Sequence, residues 1–142
     1  MTELNPAHGK VVALALATGD LITDNADIEE NAEFYRIVIN LGSEDEVKSG
    51  TRFLVFSLGK ELTDPESGDN LGAFEIVKGV GKVTNLQVRM ATLTSERTKT
   101  IQRPKNALAA LSNISNYLND TVSVEVSAPF LRPRVGDLVR LV

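Results

Sequence analysis

The sequence predicts a mainly β chain of 142 residues folded as a small barrel of six or seven strands with one inserted α-helix. Three observations carry that prediction. Several short segments alternate apolar and polar residues at period two. Clusters of Gly, Pro, Asp, Asn and Ser separate them at intervals too short for the crossovers a parallel sheet needs. Helical spacing of apolar residues occurs in a single stretch.

The elements follow in order. Val11–Ala17 is apolar on both faces, as suits a strand covered on both sides, and Gly19-Asp20 ends it. Residues 20–33 carry Asp20, Asp24, Asp27, Glu29, Glu30 and Glu33 without a pattern, which predicts a solvated loop with at most one helical turn. Phe34–Leu41 puts Tyr35, Ile37, Ile39 and Leu41 on one face and Arg36 and Asn40 on the other. A polar turn at 42–46 leads to a third strand, Thr51–Leu58. Asp64, Pro65 and Gly68 frame a turn, because Pro presets φ early in it and Gly accepts a positive φ at its exit.

Ala73–Val77 reads as a short strand and Gly79-Val80-Gly81 as a bend or bulge. Lys82–Leu93 reads as the longest strand, with Thr84, Leu86, Val88, Met90 and Thr92 on one side and Asn85, Gln87 and Arg89 on the other. Residues 94–103 read as a connection. Leu108, Leu111, Ile114 and Leu118 fall at helical spacing, and Pro104 stands where a helix start tolerates proline, so a helix is expected over about 104–118. Residues 121–127 alternate Val122, Val124 and Val126 with Ser123, Glu125 and Ser127. The chain ends in a strand within 135–142. One device recurs: Gly50-Thr51 and Gly136-Asp137 each precede an apolar strand, where glycine permits a tight turn and the Thr or Asp side chain can bond back to the backbone.

Three of these segments together, 38–55, Leu62–Gly72 with its Asp-Pro-x-x-Gly turn, and Gly81-Lys82-Val83-Thr84, resemble the C-terminal SH3-like barrel domain of the flagellar assembly protein T family and related envelope-associated β-barrel modules. The likeness covers about 55 residues and the Gly-Asp-x-Val-x-Leu ending. It implies a non-enzymatic assembly or docking module and offers no catalytic residues. Gly50, Asp64, Pro65, Gly68, Gly81 and Gly136 are then expected at structural turns. Residues 94–130, with the expected helix, depart from that pattern.

Composition narrows the chemistry. The length is that of one domain, 1–142, and the hydrophobic share of 42% against 24% charged is globular rather than disordered. With no Cys, the chain has no disulfide framework, thiolate metal site or cysteine nucleophile. His8 is the one histidine and cannot alone build a zinc triad or a Ser-His-Asp relay. Asp64, Glu66 and Asp69 do not make a calcium loop: counted from Asp64, Glu75 falls at position twelve, but Asp69 stands at position six where the glycine is needed, Gly68 is misplaced, and flanking helices are missing. Gly79-Val80-Gly81 runs into a strand, which is not a phosphate loop. The acidic runs at 27–30 and 44–46 read as solvated loops rather than catalytic pairs. No catalytic residue, metal or cofactor is expected. The N-terminal residues show no signal pattern, which points to the cytoplasm for a complete chain and to the periplasm for one whose export signal has been removed.

Charge is unevenly placed. Residues 1–77 hold 15 acids and 5 bases, a net of −10, and residues 78–142 hold 4 acids and 10 bases, a net of +6. The basic set Lys78, Lys82, Arg89, Arg97, Lys99, Arg103 and Lys105 is the candidate partner surface. It has no interleaved aromatic platforms of the kind single-strand binders use, so an acidic protein surface, including a second copy of the chain, is the first expectation. The sequence thus predicts a protein-interaction or structural assembly module, with self-association as one form of it. The alternative is a nucleic-acid-binding small barrel that uses the basic 78–105 segment.

Overall fold

The computed structural model of the chain describes residues 8–104 and 121–142. The described residues fall into two compact units, 8–97 with 129–142, and 98–128.

In the first unit the strands are β1 (Gly9–Ala15), β2 (Leu21–Ile22), β3 (Arg36–Ile39), β4 (Arg52–Thr63), β5 (Asn70–Leu86), β6 (Ala91–Ser95) and β9 (Leu138–Leu141). Their hydrogen-bonded order is β1-β3-β6-β5-β4-β9, and β9 pairs back to β1 through Gly9 opposite Val139. All of these pairings are antiparallel. The result is a closed six-stranded barrel, with β2 as an extra strand on β1. Closure pairs both sides of every wall strand, so the wall has no open edge. The mainly β fold built on a small barrel is therefore the one the turn spacing predicted.

Inward-facing side chains alternate along each strand. Ile37 and Ile39, Phe53 and Val55, Val83, Leu93 and Val139 are almost fully buried in one cluster with Val11 and Leu14. Phe34 and Phe130 join that cluster from outside the strands, and the Phe130 N–H donates to the Phe34 carbonyl at 2.9 Å. In β1 the register shifts between Val11 and Ala13, which leaves Val12 exposed. This bulge is why the strand reads as apolar on both faces: the alternation is interrupted, not absent. Asn25 imitates a strand neighbour, accepting from the Val135 N–H at 2.8 Å and donating to its carbonyl at 3.0 Å.

The repeated glycine device is present twice in the same form. The Thr51 N–H donates to the Lys48 carbonyl and Thr51 Oγ1 accepts from the Lys48 N–H, both at 3.1 Å. Likewise the Asp137 N–H donates to the Arg134 carbonyl at 3.1 Å, and Asp137 Oδ2 accepts from the Arg134 N–H at 2.8 Å. Gly50 and Gly136 occupy the third position of each turn at φ +88° and +99°, where a Cβ would be strained. The Asp64–Gly68 turn also forms, with Gly68 at φ 77°. Asp64 Oδ1 accepts from the N–H groups of Glu66 and Ser67, first and foremost the former, and these hold its carboxyl below the ordinary range.

Several sequence expectations are corrected. Residues 82–93 are not one strand: β5 and β6 meet at a hairpin, with Leu86 opposite Ala91 and the Gln87 N–H donating to the Met90 carbonyl. A continuous period-two pattern carries no marker of a four-residue reversal without Gly or Pro. The short strand 73–77 is part of β5, which runs unbroken from Asn70 to Leu86. Gly81 lies inside β5 opposite Phe53 rather than at a turn. Its role is space, since a Cβ there would stand 2.9 Å from both Leu93 Cβ and Phe130 Cζ. The bulge foreseen at 79–81 sits at Lys78, between the pairs Val55–Gly79 and Phe56–Val77.

In the second unit, β7 (Thr98–Pro104) and β8 (Thr121–Ser127) form an antiparallel ribbon with Thr98 opposite Ser127 and Pro104 opposite Thr121. Residues 98–103 were expected as a connection, and Pro104 at a helix start; they are strand. The remainder of the expected helix, 105–118, lies outside the described residues, as does Lys105. One ribbon face carries Lys99, Ile101 and Arg103 with Val122, Val124 and Val126. The other is polar and cross-linked by Gln102, which donates to Ser123 Oγ at 2.8 Å and accepts from Thr121 Oγ1 at 3.1 Å.

Candidate interaction surface

The expected basic surface does not come together as one patch. Lys78 is 7% exposed, and its ammonium donates to the Arg132 carbonyl at 2.7 Å and stands 3.5 Å from the Asp137 carboxylate. It is a structural cation, because the bulge turns it inward from a strand that would otherwise show it to solvent. Burial pushes the Asp137 carboxyl above its ordinary value, against the opposing pull of the Arg134 N–H and the Lys78 ammonium. Arg97 is half-buried, and Nη1 donates to the Pro129 carbonyl. Arg89 sits in the β5–β6 hairpin, not on a strand face with Asn85 and Gln87, and its guanidinium meets Glu44 at 3.3 Å in an exposed pair. Lys99 and Arg103 are exposed on the β7–β8 ribbon.

Lys82 is the member that reveals a different arrangement. On the outer barrel wall, Arg36 of β3 is opposite Thr94 of β6, Thr94 is opposite Lys82 of β5, and Lys82 is opposite Arg52 of β4. Four neighbouring strands thus hold three exposed cations in one row about 14 Å long at a strand spacing of about 4.8 Å. Like charges directly opposite repel. Glu96 relieves this on one side, bonding Arg52 Nε at 2.5 Å, while Arg36 and Lys82 have no ion pair among the described residues. Arg36 and Arg52 belong to the acidic half of the chain. Only the barrel's register places them beside Lys82, so linear charge clustering misses them.

The second feature is an arm. β4 pairs with β9 only as far as Phe56, and β5 pairs with β6 only from Gly81 on. Beyond those points residues 57–63 and 70–77 pair only with each other, so both outer edges of this two-stranded arm are open among the described residues. Leu58, Leu62, Leu71, Phe74, Ile76 and Val77 are all exposed on it, Phe74 at 57% and Leu71 at 66%. The register puts Ile76, Phe74 and Gly72 on one face, with Leu62 opposite Gly72 and the register shift at Gly59 and Lys60 opposite Phe74. Leu58 and Val77 lie on the other face with Glu75.

The arm is fixed at its root. Glu75 accepts from Arg140 Nη1 at 2.6 Å, and the same guanidinium lies 4.8 Å over the Phe56 ring, which is fully buried. That carboxylate holds the Arg140 guanidinium above its ordinary value. At its tip the arm is acidic, with Glu61, Asp64, Glu66 and Asp69 against Lys60.

Two clefts lie in the first unit. One, of about 340 Å³, lies among Leu41, Val47, Phe53, Leu141, His8 and the acidic residues 44–46. The other, of about 410 Å³, lies between the 28–34 and 132–134 segments and mixes Glu29 and Glu30 with Arg132 and Arg134. His8 Nδ1 accepts from the Leu141 N–H at 3.1 Å, a terminal strand contact. No known protein family, curated protein or solved structure matches the chain.

Proposed function

We propose that the chain is a non-enzymatic protein-interaction or assembly module and that it engages its partner through the β4–β5 arm. The observation that carries this reading is the concentration of exposed apolar side chains on an arm with open edges. Proteins ordinarily blunt an open edge with lysine, proline, a bulge or a covering loop. Between Gly72 and Val77 β5 itself has none of these among the described residues: its one charge, Glu75, is held by Arg140, its own bulges lie at Leu71 and Lys78, and the register shift opposite Phe74 falls on the other strand, at Gly59 and Lys60 of β4. An apolar strand of that kind is suited to strand addition, in which backbone hydrogen bonds supply affinity and alternate side chains supply specificity. A two-stranded hairpin is marginal by itself in water, which further favours a surface completed by a partner. The resemblance to envelope-associated assembly modules points the same way. The cationic row gives the nucleic-acid alternative a footing of only three adjacent cations without an interleaved aromatic.

The test compares the parent with a Phe74→Asp/Ile76→Asp variant in an extract of the source cell, by size under native conditions. The parent should run well above its 15.4 kDa mass, and the variant at the monomer position with an unchanged melting temperature. A parent that runs as a monomer, or a variant that keeps the complex, overturns the reading.

A further inference from the structure

We infer that the cleft between the 28–34 and 132–134 segments binds a small apolar zwitterion, an amino acid or short peptide, with its carboxylate held by Arg132 and Arg134 and its ammonium by Glu29 and Glu30. None of the arm's residues lines this cleft, so the inference stands apart from the proposed interaction surface.

Charge is the first argument. The two walls carry opposite sign, both acids coming from one segment and both bases from the other. All four side chains are exposed, and none of them makes an ion pair among the described residues. The walls thus face each other beyond contact distance with their charges unpaired. That arrangement selects by sign. An anion drawn to the arginines meets two carboxylates in the same cleft, and a cation drawn to the glutamates meets two guanidiniums. A ligand that carries both charges is attracted by both walls. Two acids against two bases leave the lining electrically balanced, which suits a ligand of zero net charge over a multiply charged phosphate. Ile28, Ala32, Phe34 and Pro133 add an apolar lining, with Phe34 and Pro133 buried. The volume of about 410 Å³ falls among those of small-molecule sites.

The second argument is that both walls are fixed by the fold itself. Arg132 stands at φ 45°, a left-handed conformation that residues other than Gly, Asn and Asp seldom adopt. Its carbonyl accepts from the Lys78 ammonium at 2.7 Å, and the Leu131 N–H before it donates to the Lys78 carbonyl at 2.8 Å. After it, the Arg134 N–H donates to Asp137 Oδ2 and the Val135 N–H to Asn25 Oδ1, both at 2.8 Å. On the acidic wall Asn31 is also left-handed, at φ 67°, and the Ala32 N–H closes a turn onto the Glu29 carbonyl at 3.1 Å. Two of the three non-glycine residues at positive φ among the described residues therefore line this one cleft. Such conformations persist where the surroundings over-determine them, and they cluster at ligand sites. A backbone already held in place has less to order when a ligand arrives.

The experiment titrates the purified full chain at neutral pH, followed by amide NMR shifts, with three probes: the dipeptide leucyl-leucine, its N-acetyl form, which lacks the ammonium, and its C-terminal amide, which lacks the carboxylate. The parent should bind the free dipeptide with a Kd of about 1 mM or tighter, and each blocked form about tenfold more weakly. In Arg132→Gln/Arg134→Gln, amidation should weaken binding no further. In Glu29→Gln/Glu30→Gln, acetylation should weaken it no further. Both variants should melt with the parent, because exposed charges contribute little to stability. L-Leucine, titrated alongside, separates the two sources of the ligand: tighter binding than the dipeptide assigns the cleft to a free amino acid, and weaker binding assigns it to a peptide. No shift at up to about 10 mM dipeptide overturns the inference. Equal binding of the three forms does so too, since the charged walls would then be unused. So does undiminished discrimination in both variants, which would put the ligand elsewhere.

Discussion

Lys78→Met is the sharpest probe of the barrel's interior electrostatics. Methionine keeps most of the lysine stem, so packing changes little, but the ammonium is lost. Its hydrogen bond to the Arg132 carbonyl is a charged-donor bond of about 1.5–3 kcal/mol. Its loss also leaves the Asp137 carboxylate, 5% exposed, with the Arg134 N–H as its remaining hydrogen-bond donor. Removing one partner of a buried ion pair typically costs about 3–5 kcal/mol, because the surviving charge is stranded. Urea denaturation at pH 7 should therefore show a loss of about 3–5 kcal/mol, and Asp137→Asn added to Lys78→Met should recover part of it.

The pH dependence supplies a second check on the same variant. Burial already raises the Asp137 carboxyl, and without the opposing Lys78 charge it rises further. A carboxyl whose folded value stands above its unfolded one favours the folded state fully below the unfolded value, and that contribution fades as pH rises through the folded value. The deficit of Lys78→Met relative to the parent should accordingly shrink as pH falls from 7 toward 4. A deficit under about 1 kcal/mol at neutral pH, or one that grows on acidification, would refute the buried-pair account.

Two glycine series separate space from backbone strain. Gly81→Ala should cost about 1–3 kcal/mol by overpacking, since its Cβ meets Leu93 and Phe130 at 2.9 Å in an extended strand; a neutral melt would show that Phe130 yields freely. Gly50→Ala and Gly136→Ala should each cost about 1–2 kcal/mol, equal within error, because both have open space around the missing Cβ and only positive φ is penalised. A marked difference between the two would mean that the turns are not equivalent.

The barrel was legible in the sequence wherever a residue's neighbour in the chain carries the information. Alternation in 34–41 gave β3, and Gly50-Thr51 and Gly136-Asp137 gave two turns whose hydrogen bonds are superposable in pattern. Legibility failed where pairing partners decide. Gln87–Met90 reverses without glycine or proline, so its alternation looked continuous. Residues 98–104 are polar and become strand only by pairing with 121–127. The basic segment failed for the same reason. Linear proximity joined Lys78 and Arg97 to Lys82, whereas a bulge and a carbonyl draw the first two away, and register joins Lys82 to Arg36 and Arg52. The exposed apolar residues of 57–77 gave no signal, since an apolar strand reads alike whether it faces a core or water.

The lengths of β4 and β5 are what link the barrel to the arm. β9 has four residues and β6 five, enough to pair the root of each long strand and no more. Barrel closure alone therefore asks nothing of residues 57–77, and a short turn after Phe56 would satisfy the wall. The chain instead continues for a full hairpin. It anchors that hairpin with the Glu75–Arg140 pair over Phe56 and ends it in a turn built from Asp64 and Gly68. An ordered, apolar, open-edged extension with a rigid root and a defined tip is an aggregation hazard unless something of matching shape covers it. The same two strands thus divide by neighbour: where β6 and β9 flank them they are wall, and where nothing in the described chain flanks them they form an exposed, apolar, open-edged arm.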